Sequence, residues 1–173
     1  MISYYKELYA KDRESTLDSL KQLRPKYKTR KGRTVYGGGG ITPDIYIPYK
    51  SKLTKETQKL LRNPERPIFN FSSTYATQND LGYKNFNNFK KDWQVSQSVY
   101  SQFLDYLDSD SIAFNSDSLL KDKTFIYNRI KSEIAGTARG KDEATSIRLS
   151  LDNQVSEAIK YFNEADAFLE YRN

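Results

Sequence analysis

The 173-residue sequence contains no cysteine and no histidine, and it has a single tryptophan and a single methionine. These absences exclude disulfide scaffolds, zinc fingers, and catalysis by Cys–His or Ser–His–Asp groups. No run of 18 apolar residues occurs, so the sequence predicts no membrane-spanning helix. The residues after Met1 lack the apolar stretch of a secretory signal, and no motif indicates a cofactor or a metal ion.

Tyrosine and phenylalanine are abundant, with 14 and 9 copies, although hydrophobic residues make up only 37% of the chain. Aromatic rings bury a large area per residue, so they can build a core where aliphatic side chains are scarce. The length predicts one domain, or at most one and a half.

Positive charge is concentrated in one segment. Residues 21–62 carry twelve basic and two acidic side chains, whereas residues 63–173 carry thirteen basic and sixteen acidic ones. Such asymmetry is typical of proteins that bind nucleic acid or an anionic surface. The cations around Tyr27, between Lys26 and Arg33, could hold phosphates and stack a base. The simpler interpretation, which we favour, is an exposed hairpin and a solvated helix face.

The first half of the chain predicts a short helix followed by β structure. Tyr5, Leu8 and Tyr9 have helical spacing, and Pro25 ends any helix at or before Arg24. Three short segments rich in β-formers are predicted as strands: Tyr27–Arg30, Arg33–Tyr36 and Asp44–Ile47. Lys31 and Gly32 are predicted to form the turn of a hairpin. The four glycines that follow Tyr36 indicate a positive φ, a bulge or a close approach of another backbone.

The second half predicts helices that begin at recognisable caps. Thr54 is predicted to cap a helix over Lys55–Arg62 that Asn63 and Pro64 stop. A second apolar stretch is predicted around Phe69, Phe71, Tyr75 and Ala76. Asn85–Phe89 is interpreted as a polar linker with aromatic anchors.

Three further helices are predicted from apolar stripes. Ser96 caps one that carries Val99, Tyr100, Phe103, Leu104 and Leu107, and Asp108–Ser111 closes it as a turn. Asn115 or Ser116 caps a longer helix that ends or bends at Gly136 and Gly140; its stripe is Leu119, Leu120, Phe125 or Ile126, Ile130 and Ile134. Asp152 caps the last helix, whose stripe is Val155, Ile159, Phe162, Ala165 and Leu169.

Three short motifs are poor matches to functional sites. Gly37–Gly40 lacks the helix that a phosphate-binding loop requires, since Pro43 leads into another strand. Asp108–Asp110 could begin a calcium loop, but the glycine and glutamate of that loop are missing. Ser118 and Lys121 have the Ser-x-x-Lys spacing, yet the charged residues around them predict a solvated and therefore protonated lysine.

A longer pattern runs from Tyr27 to Pro48. A Gly-Arg pair, an apolar-aromatic strand, a glycine stretch, an Ile-x-Pro-Asp sequence and a closing apolar strand follow one another. The motif residues are Gly32, Arg33, Gly37, Gly38, Gly39, Gly40, Ile41, Pro43 and Asp44. This segment resembles the end of the catalytic core in carboxy-terminal processing peptidases, also called tail-specific proteases, most of all in their Bacteroidetes-like form. The resemblance extends into the tail at Phe86–Trp93, Leu104–Phe114 and Asn153–Ala158.

The resemblance implies a division of the chain. Residues 1–49 would be the end of a peptidase core, and residues 50–173 a helical C-terminal domain, so the expected fold class is mainly α with a small β segment near residues 26–48. Family members use a Ser/Lys dyad and a PDZ-type domain, both upstream of the matched segment. No catalytic residue therefore carries over, and we expect the chain alone to be inactive and the motif residues to be structural.

The resemblance also implies partners and a location. The expected partners are the rest of the parent core and the protein substrates of the parent enzyme, in the periplasm or outside the cell. A second copy of the chain is a further candidate partner. Nucleic acid is not expected to be a partner under this interpretation. The alternative is a stand-alone basic module that uses residues 21–62 to bind nucleic acid or an anionic surface.

Overall fold

The computed structural model describes residues 24–30, 32, 34–37, 45–50 and 53–169, with residues 167–169 described by their backbone alone. These residues are mainly helical with one small antiparallel sheet, which confirms the predicted fold class. Residues 51–156 form one compact unit, and the described parts of residues 1–50 and 157–173 form a second. The helix predicted before Pro25 lies outside the described residues.

The elements are numbered here in chain order. They are β1 (Lys26–Lys28), β2 (Thr34–Tyr36), α1 (Lys55–Arg62), α2 (Pro67–Gln78), α3 (Phe86–Asp92), α4 (Gln97–Ser109), α5 (Ser116–Lys121), α6 (Lys123–Ala138), α7 (Lys141–Arg148), a 3-10 turn (Leu149–Leu151), α8 (Asn153–Lys160) and α9 (Phe162–Leu169). None of the helices in the described ranges has the length and apolar character needed to cross a bilayer.

The predicted hairpin is present. Strands β1 and β2 are antiparallel with Tyr27 opposite Val35, and the amide of Gly32 donates to the carbonyl of Thr29 at 2.9 Å. Gly32 has a φ of +84°, a conformation that glycine adopts without strain. The third predicted strand is wrong in its described part, because Ile45–Ile47 is irregular and the described sheet has two strands. Pro48, which follows this segment, has no backbone N–H and cannot donate a hydrogen bond to a neighbouring strand.

Helix α6 forms the centre of the helical unit. Ile126, Ile130 and Ile134 recur every four residues along it and are fully buried, as the apolar stripe predicted. The helix packs chiefly against α2 and α7. A Cβ atom added to Gly136 would lie 3.2 Å from the Cβ of Ala144, so glycine allows α7 to pack closely here. The hydroxyl of Ser132 donates to the carbonyl of Ala144 at 2.9 Å and joins the two helices.

The long helix predicted from Asn115 is interrupted. Asn115 caps α5 by accepting from the amide of Ser118 at 2.8 Å, but Asp122 leaves the helical conformation and α6 begins after it. The physical reason is that the carboxylate of Asp122 accepts hydrogen bonds from Thr54, far away in the sequence. At the other end, Gly140 separates α6 from α7, which agrees with the predicted end of the helix.

The segment interpreted as a polar linker is helix α3, so that prediction was wrong. Asn85 caps the helix by accepting from the amide of Asn87 at 2.7 Å. Phe89 is almost completely buried, and the ring of Trp93 stacks on it with centroids 5.2 Å apart. Burial of these aromatic rings outweighs the low helix propensity of the asparagines.

The end of the chain begins as predicted and then differs. Asp152 caps α8 by accepting from the amides of Gln154 and Val155, but the single helix expected there is divided at Tyr161 into α8 and α9. The apolar stripe also leaves large side chains exposed, since Ile159 and Phe162 are 55% and 62% exposed. The other predicted caps, Thr54 and Ser96, accept from the amides of Thr57 and Val99, respectively.

Candidate functional site

The hairpin presents cations and one aromatic ring to solvent. Lys26, Tyr27 and Lys28 are all exposed, and the ammonium of Lys28 donates to the hydroxyl of Thr34 at 2.7 Å. Successive side chains of a strand point to opposite faces. The two lysines therefore share one face of β1 while Tyr27 lies on the other. This arrangement separates the cations from the aromatic ring that would stack a base.

Two of the motif glycines lie in the described residues. Gly32 forms the hairpin turn, and the amide of Gly37 donates to the carbonyl of Pro25 at 2.8 Å. A Cβ atom on Gly37 would lie only 2.6 Å from a ring carbon of Tyr27. The close neighbour of Gly37 is thus an aromatic side chain, whereas the sequence predicted the approach of another backbone as one of three options. The other motif residues lie outside the described residues: Arg33, Gly38, Gly39, Gly40, Ile41, Pro43 and Asp44.

Ser118 and Lys121 do not form an activated nucleophile. Both lie on α5, where Lys121 is exposed and Ser118 is half-buried. A lysine that activates a serine nucleophile lies in a buried site, so the exposure of Lys121 does not support this role. Asp108 and Asp110 lie at the C-terminal end of α4, where they close the helix, and no cluster of potential metal ligands occurs in the described ranges.

A cleft of about 360 Å3 lies in the helical unit, and we call it the lysine cleft. It lies between the end of α3, the middle of α6 and the turn after α7. Its lining includes Lys90, Val95, Asn128, Lys131, Ile147 and Leu151. The cleft therefore combines apolar walls with two ammonium groups.

Lys131 is the unusual member of this lining. Its side chain projects from α6, and the residue is only 7% exposed. Its ammonium donates to the carbonyl of Lys90 at 2.7 Å and lies 5.8 Å from the centroid of the Phe89 ring. The ion pairs found in the described part of the chain do not include Lys131. A buried cation without an anion is energetically costly.

The surroundings of Lys131 disfavour its charged form. Burial lowers the pKa of its ammonium group; the carboxylate of Asp92 opposes this change, and the ammonium of Lys90 adds to it. An anion bound in the cleft would relieve this penalty because it would favour the protonated form.

Hydrogen bonds between elements fix the walls of the cleft. The ammonium of Lys90 donates to the hydroxyl of Ser146 at 2.7 Å and joins α3 to α7. The side-chain amide of Asn128 donates to the carbonyl of Ile147 and to the hydroxyl of Ser150, both at 3.0 Å. These bonds hold the turn after α7 against α6, so the cleft is preformed.

A smaller cleft of about 260 Å3 lies beside Arg139 and Phe89. The guanidinium group of Arg139 donates to the carbonyls of Tyr83 and Lys84. The carboxylate of Asp80 accepts from the amide of Gly82 at 2.8 Å. Because its charged groups already hold the local backbone, we assign this cleft a structural role.

Comparison with known protein families gives a match within the helical unit. Residues 58–138 match a protein family of unknown function, DUF8443. The match begins in α1, ends with the last turn of α6 and includes both Lys90 and Lys131. No curated protein and no solved structure matches the chain.

The sequence reasoning missed Lys131 and Lys90. A signal was present for Lys131, which lies three residues before Ile134 and therefore flanks the apolar stripe of α6. No comparable signal marks Lys90, which directly follows the segment Asn85–Phe89 that the sequence predicts as a linker.

Proposed function

We propose that this chain is a non-catalytic C-terminal part of a processing serine endopeptidase. In this proposal the hairpin belongs to the end of the peptidase core, and residues 51–156 form an accessory helical domain. The observation that carries the proposal is the motif between Tyr27 and Pro48 together with the small size of the sheet that it forms.

The size of the sheet supports this proposal. Within the described residues it has two strands of three residues each, and β1 is exposed along its whole length. A single two-stranded hairpin is at best marginally stable in water. The sheet of a larger core would supply the missing strands and would cover Val35 and its neighbours.

The helical unit supports a separate accessory role. Its core contains many fully buried side chains, including Phe103, Leu107 and Ile126, all contributed by residues of this unit. Such a core is consistent with a domain that folds beside a catalytic core and contributes to assembly or to confining the substrate. The partners under this proposal are the parent core and its protein substrates, in the periplasm or outside the cell.

The chain alone would not cleave proteins. The dyad of the family lies outside the matched segment, and the environment of Ser118 and Lys121 does not activate a nucleophile. Incubating the purified chain with an unfolded protein should give no cleavage products on a gel. Cleavage that is lost in the Ser118→Ala variant would contradict this part of the proposal.

The decisive experiment is to read the DNA immediately upstream of the codon for Met1. The proposal expects an open reading frame in the same phase that encodes a PDZ-type domain and a Ser/Lys core. An in-frame stop codon with no such core before it would overturn the proposal.

A second candidate function is a basic module that binds an anionic surface or nucleic acid. It is favoured by the exposure of Lys26 and Lys28 on one face of β1. Tyr27, on the opposite face of the strand, offers no base-stacking platform on that side. We therefore rank this function second.

A further inference from the structure

The lysine cleft contains a buried ammonium group that no anion of the described residues contacts directly. Lys131 is nine-tenths buried, and its ammonium group has three donor hydrogens. One of them is directed to the carbonyl of Lys90 at 2.7 Å. No carboxylate in the described part of the chain lies within ion-pair distance of this ammonium group. Buried charges in proteins are normally paired, but the carboxylate of Asp92 acts on this cation from beyond ion-pair distance. Among the described residues the ammonium group therefore has no direct anionic contact.

We propose that the lysine cleft binds an apolar molecule that carries one carboxylate. The ammonium group of Lys131 receives the carboxylate, while Val95, Ile147 and Leu151 contact the apolar part. The inference rests on the geometry of the cleft and does not depend on the proposed peptidase function.

The dimensions of the cleft fit a small ligand or one residue at the end of a chain. Its volume of about 360 Å3 lies at the lower end of the range for small-molecule sites. Ile147 is buried and Leu151 is 48% exposed, so the apolar wall runs from the floor of the cleft to its edge. A leucine-sized group would cover the exposed part of this wall.

The charge of the cleft favours a carboxylate over a phosphate. A phosphate group is usually held by arginine forks or by several amides at a helix N-terminus, and its charge at neutral pH approaches two. The lining contains no arginine, and the ammonium of Lys90 already donates to Ser146. The single positive charge of the Lys131 ammonium group is neutralised by the single negative charge of one carboxylate.

The carboxylate ligand can be of two kinds, a free organic acid or the C-terminus of a peptide. Both present one carboxylate next to an apolar group. N-acetyl-leucine has these features in a single residue, and N-acetyl-leucinamide is the same molecule without the negative charge. This pair therefore isolates the contribution of the carboxylate.

Isothermal titration of the full chain with these two compounds tests the proposal. The acid should bind, and the amide should bind at least about tenfold more weakly, the ratio that corresponds to one modest charge-assisted hydrogen bond. In Lys131→Met the two compounds should become equivalent. Lys121→Met, which removes an exposed lysine on α5, should keep the wild-type preference. Equal affinities in the wild type, or no heat up to about 10 mM acid, would overturn the proposal.

A second variant guards against a folding defect in Lys131→Met. Leu151→Glu changes a half-exposed residue of the lining and introduces a competing carboxylate. It should weaken binding of N-acetyl-leucine and leave the circular dichroism spectrum unchanged. Unaltered binding in this variant would also overturn the proposal.

Two further titrations distinguish the sources of the carboxylate. 4-Methylpentanoate represents a free acid, and N-acetyl-Ala-Ala-Leu represents a peptide C-terminus. Tighter binding of the peptide would assign the cleft to chain ends, whereas tighter binding of 4-methylpentanoate would assign it to free acids. Failure of both to bind in a Lys131-dependent manner would reject the proposal.

Discussion

One carboxylate oxygen of Asp122 accepts two hydrogen bonds from Thr54, one from its amide and one from its hydroxyl, each at 2.7 Å. Thr54 is the residue that caps α1, and Asp122 separates α5 from α6. The pair therefore joins the first helix of the helical unit to the start of its central helix, 68 residues later in the chain.

Asp122→Ala should lower the free energy of unfolding by about 1–2 kcal/mol, because it removes two charge-assisted hydrogen bonds and weakens a helix cap. Urea unfolding followed by circular dichroism measures the change. Asp105→Ala, at an exposed position of α4, is the matched control and should change stability much less. Equal losses in the two variants would show that the contact with Thr54 contributes little.

The stability that Asp122 contributes should depend on pH. Burial alone would raise the pKa of its carboxyl group, but hydrogen bonds from Thr57 and Thr54 outweigh this effect and lower the pKa. A lowered pKa in the folded state means that the contribution is complete above the unfolded pKa of about 3.9 and is lost as the pH falls through the folded value.

The measurement for this pH dependence is the difference in unfolding free energy between the wild type and Asp122→Asn. The difference should be constant between about pH 5 and 7, where the carboxyl group is ionised in both states, and should shrink below about pH 4. A difference that grows as the pH falls would contradict the assigned hydrogen bonds.

Ile130→Ala should destabilise the helical unit by about 2–5 kcal/mol, because a fully buried side chain on the central helix is lost and a cavity is left. Leu120→Ala removes a side chain that is 53% exposed and should change stability by about 0.5 kcal/mol or less. Chemical unfolding of both variants provides the comparison. Similar losses of unfolding free energy in the two variants would show that Ile130 does not pack in the core as described.

Gly32→Ala should destabilise the hairpin by about 1–2 kcal/mol, because a side chain is strained at a φ of +84°. Amide hydrogen exchange of the strand residues should become faster while the exchange of α6 stays the same. Gly82→Ala places the same strain at a φ of +70° in the helical unit and should leave the hairpin unchanged. Unchanged exchange in Gly32→Ala would argue against the left-handed turn.

Binding to DNA should be weak and strongly dependent on salt, since clustered lysines alone give sequence-independent contacts with phosphates. Titration of a labelled duplex at about 150 mM salt, where charge effects beyond about 8 Å are screened, should show little binding. Tight, sequence-dependent binding that is lost when Lys26 and Lys28 are changed to alanine would favour the basic-module function over the peptidase proposal.

Local signals predicted much of the fold. Thr54, Ser96 and Asp152 are helix caps as predicted, and Asn115 is one of the two residues predicted to cap α5, because short polar side chains accept hydrogen bonds from the free amides of a first helical turn. The hairpin turn at Gly32 was predicted for a similar reason. These features depend on residues within a few positions of one another.

Features that depend on distant residues were not predictable in this way. The break at Asp122 arises from Thr54, and helix α3 exists because Phe89 is buried in the helical unit. Lys131 is buried because α3 lies next to it and its ammonium group donates a hydrogen bond to the carbonyl of Lys90 in that helix. The lysine cleft therefore could not be found while the segment from Asn85 to Phe89 was interpreted as a linker.

The stacking of Trp93 on Phe89 has a spectroscopic consequence. Trp93 is the sole tryptophan of the chain, and it lies within the helical unit. Its emission should therefore follow the unfolding of residues 51–156 and be insensitive to melting of the hairpin, where Tyr27 and Tyr36 are the chromophores. Selective excitation of tryptophan thus gives the unfolding transition of one unit without contamination from the other.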